Sequence, residues 1–475
     1  MTASGTAIET DIPARLDRLP WSAWHARILT ALGTSWILDG LEVTLIGSLS
    51  GILQSSSGLA LSDQAVAAAA TTYLIGAVLG ALLFGRLTDR LGRRKLFLVT
   101  LATYSLATIG TGLSFDATAF FICRFFTGLG IGGEYAAINS AVDELIPGRL
   151  RGRIDLLVNA TFWVGASLGS LAALLLLGPH SPGPWGWRLA FGVGGTLGLA
   201  VLLLRLAVPE SPRWLMLRGR ESEAEAIVAG IEAGIRRHRQ LPPLQAEKLR
   251  IRPRDHTPWR DIFRNMLGEN RKRSVLGLIL MAGQAFFFNA VFFTFGLTAR
   301  KFFGVSDSRI PLELLPFAIA SFFGPLLLGP LFDTIGRKPM ITATYAAAAA
   351  LLAISAVLFG TGLVGLDGLV ISFCAIFFTA SSAASAAYLT VSEIFPLEIR
   401  ALSIAIFYAI GTLVGGVGAP ALCGALIATG SRYALMGAYL LGAALMLAGA
   451  LTEGLIGVEA AGRSLESVSR PLQSD

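Results

Sequence analysis

GRLTDRLGRRK, Gly85 to Lys95, and GPLFDTIGRK, Gly329 to Lys338, carry one message at two places in the chain, each wedged between apolar runs. In both, a Gly is followed four residues on by an Asp (Asp89, Asp333) and three further by a second Gly (Gly92, Gly336). Basic residues come next, Arg93 and Arg94 in the first copy and Arg337 and Lys338 in the second. Another motif repeats at nearly the same offset: Glu144, Pro147 and Arg151 in ELIPGRLR return as Glu393, Pro396 and Arg400 in EIFPLEIR. Two unrelated motifs recurring at nearly one period mark a duplicated half. In a strongly apolar chain that points to a transporter built from two related bundles.

The composition agrees. At 54% hydrophobic, 15% charged and mean hydropathy +0.66, a chain of 475 residues is too apolar for water. Its 54 glycines suit close helix packing in lipid. The sequence pI near 9.6 does not imply nucleic acid, because the basic residues sit in loops between apolar spans rather than in a patch interleaved with aromatics. Cys123, Cys374 and Cys423 fall inside apolar segments without metal-ligand spacing and read as packing residues. The polar first 20 residues lack the apolar stretch of a cleaved signal peptide.

About 20 apolar residues cross roughly 30 Å of hydrocarbon. Twelve windows qualify, at roughly 26–50, 65–87, 96–113, 118–146, 154–177, 186–208, 274–298, 311–332, 340–360, 367–391, 402–427 and 433–456. The expected fold is therefore all-α, twelve transmembrane helices in two pseudo-symmetric six-helix bundles, 26–208 and 274–456. A tail of 1–25, a linker of 209–273 and a tail of 457–475 complete the chain. With both termini cytoplasmic, nearly all of the 38 Lys and Arg lie inside; only Arg188, Arg300, Lys301, Arg309 and Arg432 fall outside, and Arg124 lies within a span. The linker, with amphipathic runs and a Pro-rich piece at Pro242 and Pro243, reads as a solvated connection, and His238 and His256 as lone surface histidines.

These motifs resemble the major facilitator superfamily over nearly the whole chain. Gly85 to Lys95 is similar to its signature loop between the second and third helices, and Gly329 to Lys338 to the degenerate copy between the eighth and ninth. PESPRWL (Pro209 to Leu215), RFFTGLGIGGE (Arg124 to Glu134) and the paired Glu-x-x-Pro-x-x-x-Arg elements resemble the sugar-porter and metabolite/proton symporter branches. The charges in these loops read as a gate. Asp89 beside Arg93 and Asp333 beside Arg337 stand at cytoplasmic helix ends, with Glu144 near Arg151 and Glu393 near Arg400 at the inner ends of the fourth and tenth helices. Such pairs latch the inner mouth and part when it opens. Arg86, Arg90 and Lys95 read as topology markers.

Four charges are read deep in spans: Asp39 and Glu42 in the first, Arg124 and Glu134 in the fourth. Each costs roughly 2.5–3.5 kcal/mol on insertion scales unless it pairs, neutralises or meets water. Counting 1.5 Å per residue, Asp39 lies about 20 Å from the inner surface and Arg124 about 9 Å from the outer, which is one depth. Asp39 and Glu42 share a helix face, so Arg124 should pair with one of them. An acid held by an arginine is released by protonation, and a substrate anion competes for the arginine; the expected proton-coupling groups are Asp39, Glu42 and Glu134. Glu134 reads equally as a bond to neighbouring helices. DGLE, Asp39 to Glu42, resembles the D-G-x-D element of aromatic-acid/proton symporters, and Gly132 to Glu134 the GGE of nicotinate-type and other metabolite symporters.

The substrate is expected to meet Arg124, Asn159, Trp163, Gln284, Asn289 and Tyr388, with Trp36, Phe286, Phe288 and Phe292 as further wall aromatics. Set against the sugar-porter motifs, the paired-glutamine segment falls on Asn159 and Ala166. The seventh-helix segment reads GQAFFFN, keeping Gln284 and Asn289, and the tenth reads ASAAY, ending in Tyr388. Lost amides and added rings describe a smaller, more aromatic pocket. The leading expectation is proton-coupled uptake of a small organic anion, aromatic or another carboxylate, by a monomer in the plasma (inner) membrane. A sugar or polyol/proton symporter, efflux of a hydrophobic compound and a non-transporting nutrient sensor are the alternatives. No nucleophile, metal cluster or nucleotide loop is visible, so no enzyme, cofactor, catalytic residue, metal or nucleic-acid partner is expected.

Overall fold

Ser62, Asp116 and Ser431 stand one residue before long apolar helices, and each side chain accepts the backbone N–H three residues on, at 3.2, 2.9 and 3.2 Å. Local capping of this kind fixes where a span begins. The computed structural model describes residues 7–54, 58–177, 185–206, 208–244, 248–253, 257–306 and 309–472; His256 lies outside them.

After the short α1 (Ile12–Asp17), the first half holds α2 (Ala23–Gln54), α3 (Asp63–Leu91), α4 (Arg93–Leu113), α5 (Ala117–Leu145), α6 (Arg151–Leu177) and α7 (Gly186–Arg205). α8 (Pro212–Leu217), α9 (Glu221–Arg236) and α10 (Trp259–Arg264) precede the second half. That half runs through α11 (Arg271–Val291), α12 (Phe295–Phe303), α13 (Ile310–Thr334), α14 (Arg337–Gly360), α15 (Leu366–Ile394), α16 (Arg400–Gly411), α17 (Ala419–Ala428) and α18 (Arg432–Ile456), and α19 (Leu465–Val468) follows. Among the described residues, 11 segments are long and apolar enough to cross a membrane, with α11–α12 and α16–α17 each counted as one span. α5, 29 residues long but carrying Arg124 and Glu134, supplies the remaining expected span. Large apolar side chains such as Leu106, Leu175, Ile371 and Leu455 face outward, as a lipid-facing surface requires.

Each half packs in the same pattern, and the halves meet where α3 lies on α16 and α13 on α6. The duplicated loop turns on glycine: Gly92 and Gly336 adopt φ of +100° and +124°, and a Cβ on Gly92 would fall 2.2 Å from Glu210 Oε2. On α5 a Cβ at Gly132 would sit 1.9 Å from the Ala77 carbonyl oxygen, which is how close α3 and α5 approach. The eleventh span contains a feature absent from its sequence pattern, a π-helical stretch at Thr412–Gly418 between α16 and α17. Extra residues of this type often mark functional sites.

The linker is not simply a solvated connection. β1 (Ile8–Thr10) pairs antiparallel with β2 (Leu249–Ile251), Ile8 opposite Ile251. Ile12 and Leu16 of α1 pack with Trp214 of α8, Val228 and Ile231 of α9 and Leu397 of the second half. Arg15 bridges Glu225 at 2.6 Å and Glu232 at 3.0 Å, and Arg18 joins Glu232. The amphipathic pattern of 221–236 had a partner to bury against, the N-terminal segment. His238 is exposed, as expected.

Candidate functional site: a central cavity and the charges beside it

Between the halves lies a cavity of about 200 Å³. Of the residues expected to meet substrate, Asn159 and Trp163 on α6, Gln284 and Asn289 on α11 and Tyr388 on α15 line it. Trp36, Phe288 and Phe292 do so too. Phe286 does not. The span of α11 and α12 offers the cavity Gln284, Ala285, Phe288, Asn289 and Phe292, one helical face, while Phe286 turns toward Gly442 of α18.

Rings of opposite halves meet across the cavity. Tyr135 of α5 stacks on Tyr408 of α16 with centroids 4.6 Å apart, and Trp36 of α2 meets Tyr388 of α15 edge-on at 6.3 Å. Trp163 lies 5.4 Å from Phe288 and 5.3 Å from Phe292. Among the polar lining groups, Asn159 Nδ2 donates to Asn139 Oδ1 at 3.0 Å and Asn289 Nδ2 to the Ala285 carbonyl at 2.7 Å. Trp36 Nε1, Asn159 Oδ1 and Ser381 Oγ are buried with no protein partner. Buried polar atoms in that condition are costly and are relieved by a bound polar ligand or water.

The depth arithmetic brings Arg124 level with the first helix, but its partner is Glu42, not Asp39. Glu42 also accepts from Thr108 at 3.0 Å. The Arg124 guanidinium lies over the Tyr73 ring at 4.6 Å and is absent from the cavity wall, because Tyr73 stands between. The expected direct contact of Arg124 with substrate has no geometric basis here. Glu134 does bond a neighbouring helix: Arg205 of α7 binds both it and Ser35. Asp39 is instead held by two cavity-wall tyrosines, Tyr73 donating to Oδ1 at 3.3 Å and Tyr135 donating to Oδ2. A second cavity of about 10 Å³, near the size of one water, borders Asp39, Glu134 and Tyr104.

Charges inside the spans exceed the four read from sequence. Arg205, Asp143, Asp155 and Glu453 are fully or almost fully buried as well. Asp155 accepts from Asn159 Nδ2 at 3.3 Å, one helical turn away, and so connects to the cavity wall.

The face carrying both duplicated motifs is shut. Asp89 accepts from the backbone N–H groups of Ala401 (3.3 Å) and Leu402 (2.9 Å), while Asp333 accepts from those of Gly152 (3.0 Å) and Arg153 (3.1 Å). Each aspartate thus caps a helix of the other half, α16 or α6. Arg93 binds Asp89 at 3.2 Å and Glu144 at 2.7 Å; Arg337 binds Asp333 at 2.8 Å and Glu393 at 3.1 Å. The expected neighbours Glu144 with Arg151 and Glu393 with Arg400 are exchanged: Arg151 reaches Glu393 at 3.4 Å and Arg400 approaches Glu144 to 3.9 Å, both across the interface. Arg213 adds a bridge, to Asp17 at 3.0 Å and Glu466 at 3.0 Å. Arg86 is more than a topology marker, lying over the Trp259 ring at 4.7 Å and donating to the Thr257 carbonyl at 2.7 Å. Outside the spans, burial pushes the Glu210 carboxyl up, opposed by the N–H of Ser211 and by Arg93.

Tyr73, Tyr135, Tyr408 and Arg205 escaped the sequence reading. Arg205 and Asp155 carried a legible signal, a charge within an apolar window; the tyrosines carried none.

Residues 31–472 match the model of a family described as "Sugar (and other) transporter". The niacin transporter NiaP of Acinetobacter baylyi (strain ATCC 33305 / BD413 / ADP1) is 28% identical over 465 residues, covering 96% of this chain and 99% of its own. The arabinose-proton symporter of Bacillus subtilis (strain 168) is 25% identical over 421 residues, 84% of this chain and 85% of its own. Among solved structures, the proton:xylose symporter XylE bound to 6-bromo-6-deoxy-D-glucose superposes with a TM-score of 0.77 at 21% identity, over 94% of this chain and 98% of that one. That likeness identifies the major facilitator fold.

Proposed function

Because this chain belongs to the sugar (and other) transporter family, we propose that it is a proton-coupled importer of a small organic anion bearing an aromatic ring. It works by alternating access as a single chain in the plasma membrane. One observation carries the reading: a cavity walled by rings from both halves, two of whose tyrosines hold a buried carboxylate, Asp39. The rings suit a flat apolar body, the amides of Asn159, Gln284 and Asn289 suit its polar substituents, and Asp39 is the proton carrier. The name of the NiaP relative supports the class, niacin being an aromatic carboxylic acid. The excess of basic residues on the motif face supports a cytoplasmic position for that face and for both termini. The shut network of Asp89, Asp333, Glu144 and Glu393 is then the closed inner gate of an outward-facing state.

A sugar or polyol substrate is the second reading, supported by the unpartnered Trp36 Nε1, Asn159 Oδ1 and Ser381 Oγ. Thermal-shift titration of the purified chain with aromatic carboxylates, their amides and hexoses separates the two. Uptake into proteoliposomes under an inward acid gradient should follow for the acids, and Asp39→Asn should abolish accumulation against a gradient while sparing exchange. Stabilisation by hexoses and by no organic acid would sink the anion reading.

A further inference from the structure

Among the described residues lining the central cavity there is no Lys, Arg or His. The buried arginines beside it are already committed, Arg124 to Glu42 and Arg205 to Glu134. A bound anion must therefore be met by neutral donors. Two strong ones, the hydroxyls of Tyr73 and Tyr135, stand on the cavity wall and are spent on Asp39.

Resting on the anion reading above, we propose that Tyr73 and Tyr135 form a donor switch, turning from Asp39 to the carboxylate of the substrate when Asp39 takes a proton. The groups around Asp39 leave it as the charge that must change. Glu42 on its own helix and Glu134 on α5 are each balanced by an arginine. Tyr73, Tyr104, Tyr135, Tyr388 and Tyr408 from α3, α4, α5, α15 and α16 are phenols, neutral at physiological pH. Among the described residues no cation forms a salt bridge with Asp39. Ionised, Asp39 uses both hydroxyls, and a second negative charge in the cavity meets repulsion with no donor to receive it.

Protonation reverses both conditions. The proton comes from the outer solution and bonds to a carboxyl oxygen of Asp39. The two O–H···O contacts to Asp39 are released and re-form on the substrate's oxygens, with no covalent bond broken. One proton and one monoanion enter together, so the site's net charge is unchanged and transport of a monocarboxylate is electroneutral.

The test uses the full chain in nanodiscs, with nicotinate and nicotinamide as probes between pH 6 and pH 8, where nicotinate stays ionised. Wild type should bind nicotinate more tightly at pH 6, whereas Asp39→Asn should bind it equally at both pH values. The double variant Tyr73→Phe/Tyr135→Phe should lose about ten- to a hundredfold in nicotinate affinity, the scale of one charge-assisted hydrogen bond or somewhat more. Its melting temperature should fall, because buried Asp39 loses both donors, but its affinity for nicotinamide should change far less than its affinity for nicotinate. In proteoliposomes, wild-type nicotinate uptake should respond to a pH gradient and ignore an imposed voltage. If wild type binds nicotinate but the double variant keeps the parent's affinity and pH dependence, or if uptake is driven by voltage, the switch is wrong and the anion reading stands. If wild type binds no carboxylate at either pH, both fall.

Discussion

Asp89 Oδ2 accepts the backbone N–H of Leu402 at 2.9 Å, joining the last turn of α3 in the first half to the start of α16 in the second. The carboxylate meets both the unpaired N–H groups of that helix end and the positive end of its dipole. Asp333 repeats the arrangement on Gly152. These contacts hold the motif-bearing face closed and exist only while the halves meet there, so they favour one state of the transport cycle over the other.

Removing both caps should shift that equilibrium. A capping side chain is worth about 1 kcal/mol, so Asp89→Ala with Asp333→Ala should raise the inward-open to outward-open ratio roughly thirtyfold. Spin-label distances across the inner mouth measure it. Unchanged distances in a folded double variant would reduce these residues to topology markers.

Glu134 and Arg205 are buried as a pair. Arg205→Met alone leaves an unpaired carboxylate and should cost about 3–5 kcal/mol of stability. Adding Glu134→Leu should recover most of that loss, read as thermal unfolding in detergent. A double variant no more stable than the single one would mean that Glu134 does more than answer Arg205.

Phe288 and Phe286 divide the work of α11. Phe288→Ala should weaken binding of an aromatic acid by roughly tenfold, since a ring contact is worth about 0.5–1.5 kcal/mol beyond its area. Phe286→Ala should leave affinity near wild type and lower the melting temperature, its ring being buried toward α18. Equal affinity losses in the two variants would contradict the wall assignment.

Docking of the N-terminal segment should be pH-dependent in one direction. Burial pushes the Glu232 carboxyl up, but hydrogen bonds from Arg15 and Arg18 more than offset this and hold it below its ordinary value of 4.5. A depressed carboxyl contributes stability above its unfolded value and loses it as pH falls through the folded one. Proteolysis ahead of α2 should stay slow at neutral pH and quicken only below pH 4.5, whereas Glu232→Gln should be cleaved quickly at neutral pH.

The sequence announced the two bundles and the charged residues that meet between them because duplication repeats a motif and apolar windows are long. Span depth placed Arg124 correctly, since rise per residue is constant. It could not select between Asp39 and Glu42, three residues apart, because that choice depends on the rotation of α2 against α5. The tyrosines were hidden for a related reason: an aromatic in an apolar window looks the same whether it faces lipid, a helix or a cavity. Gate partners were misassigned because Glu144 and Arg151 are neighbours along the chain, whereas closure of the halves pairs Glu144 with Arg400 instead.

The exchanged contacts obey a two-fold rule. Asp89 on α16 and Asp333 on α6 are one contact made twice, as at an isologous interface, where residue i of one partner meets residue j of the other and the reverse. A two-fold dimer of a single six-helix unit would close its face with the same two carboxylates and would need no connecting segment. Each half therefore supplies one carboxylate and one helix start to the closed face, and neither half can close it alone.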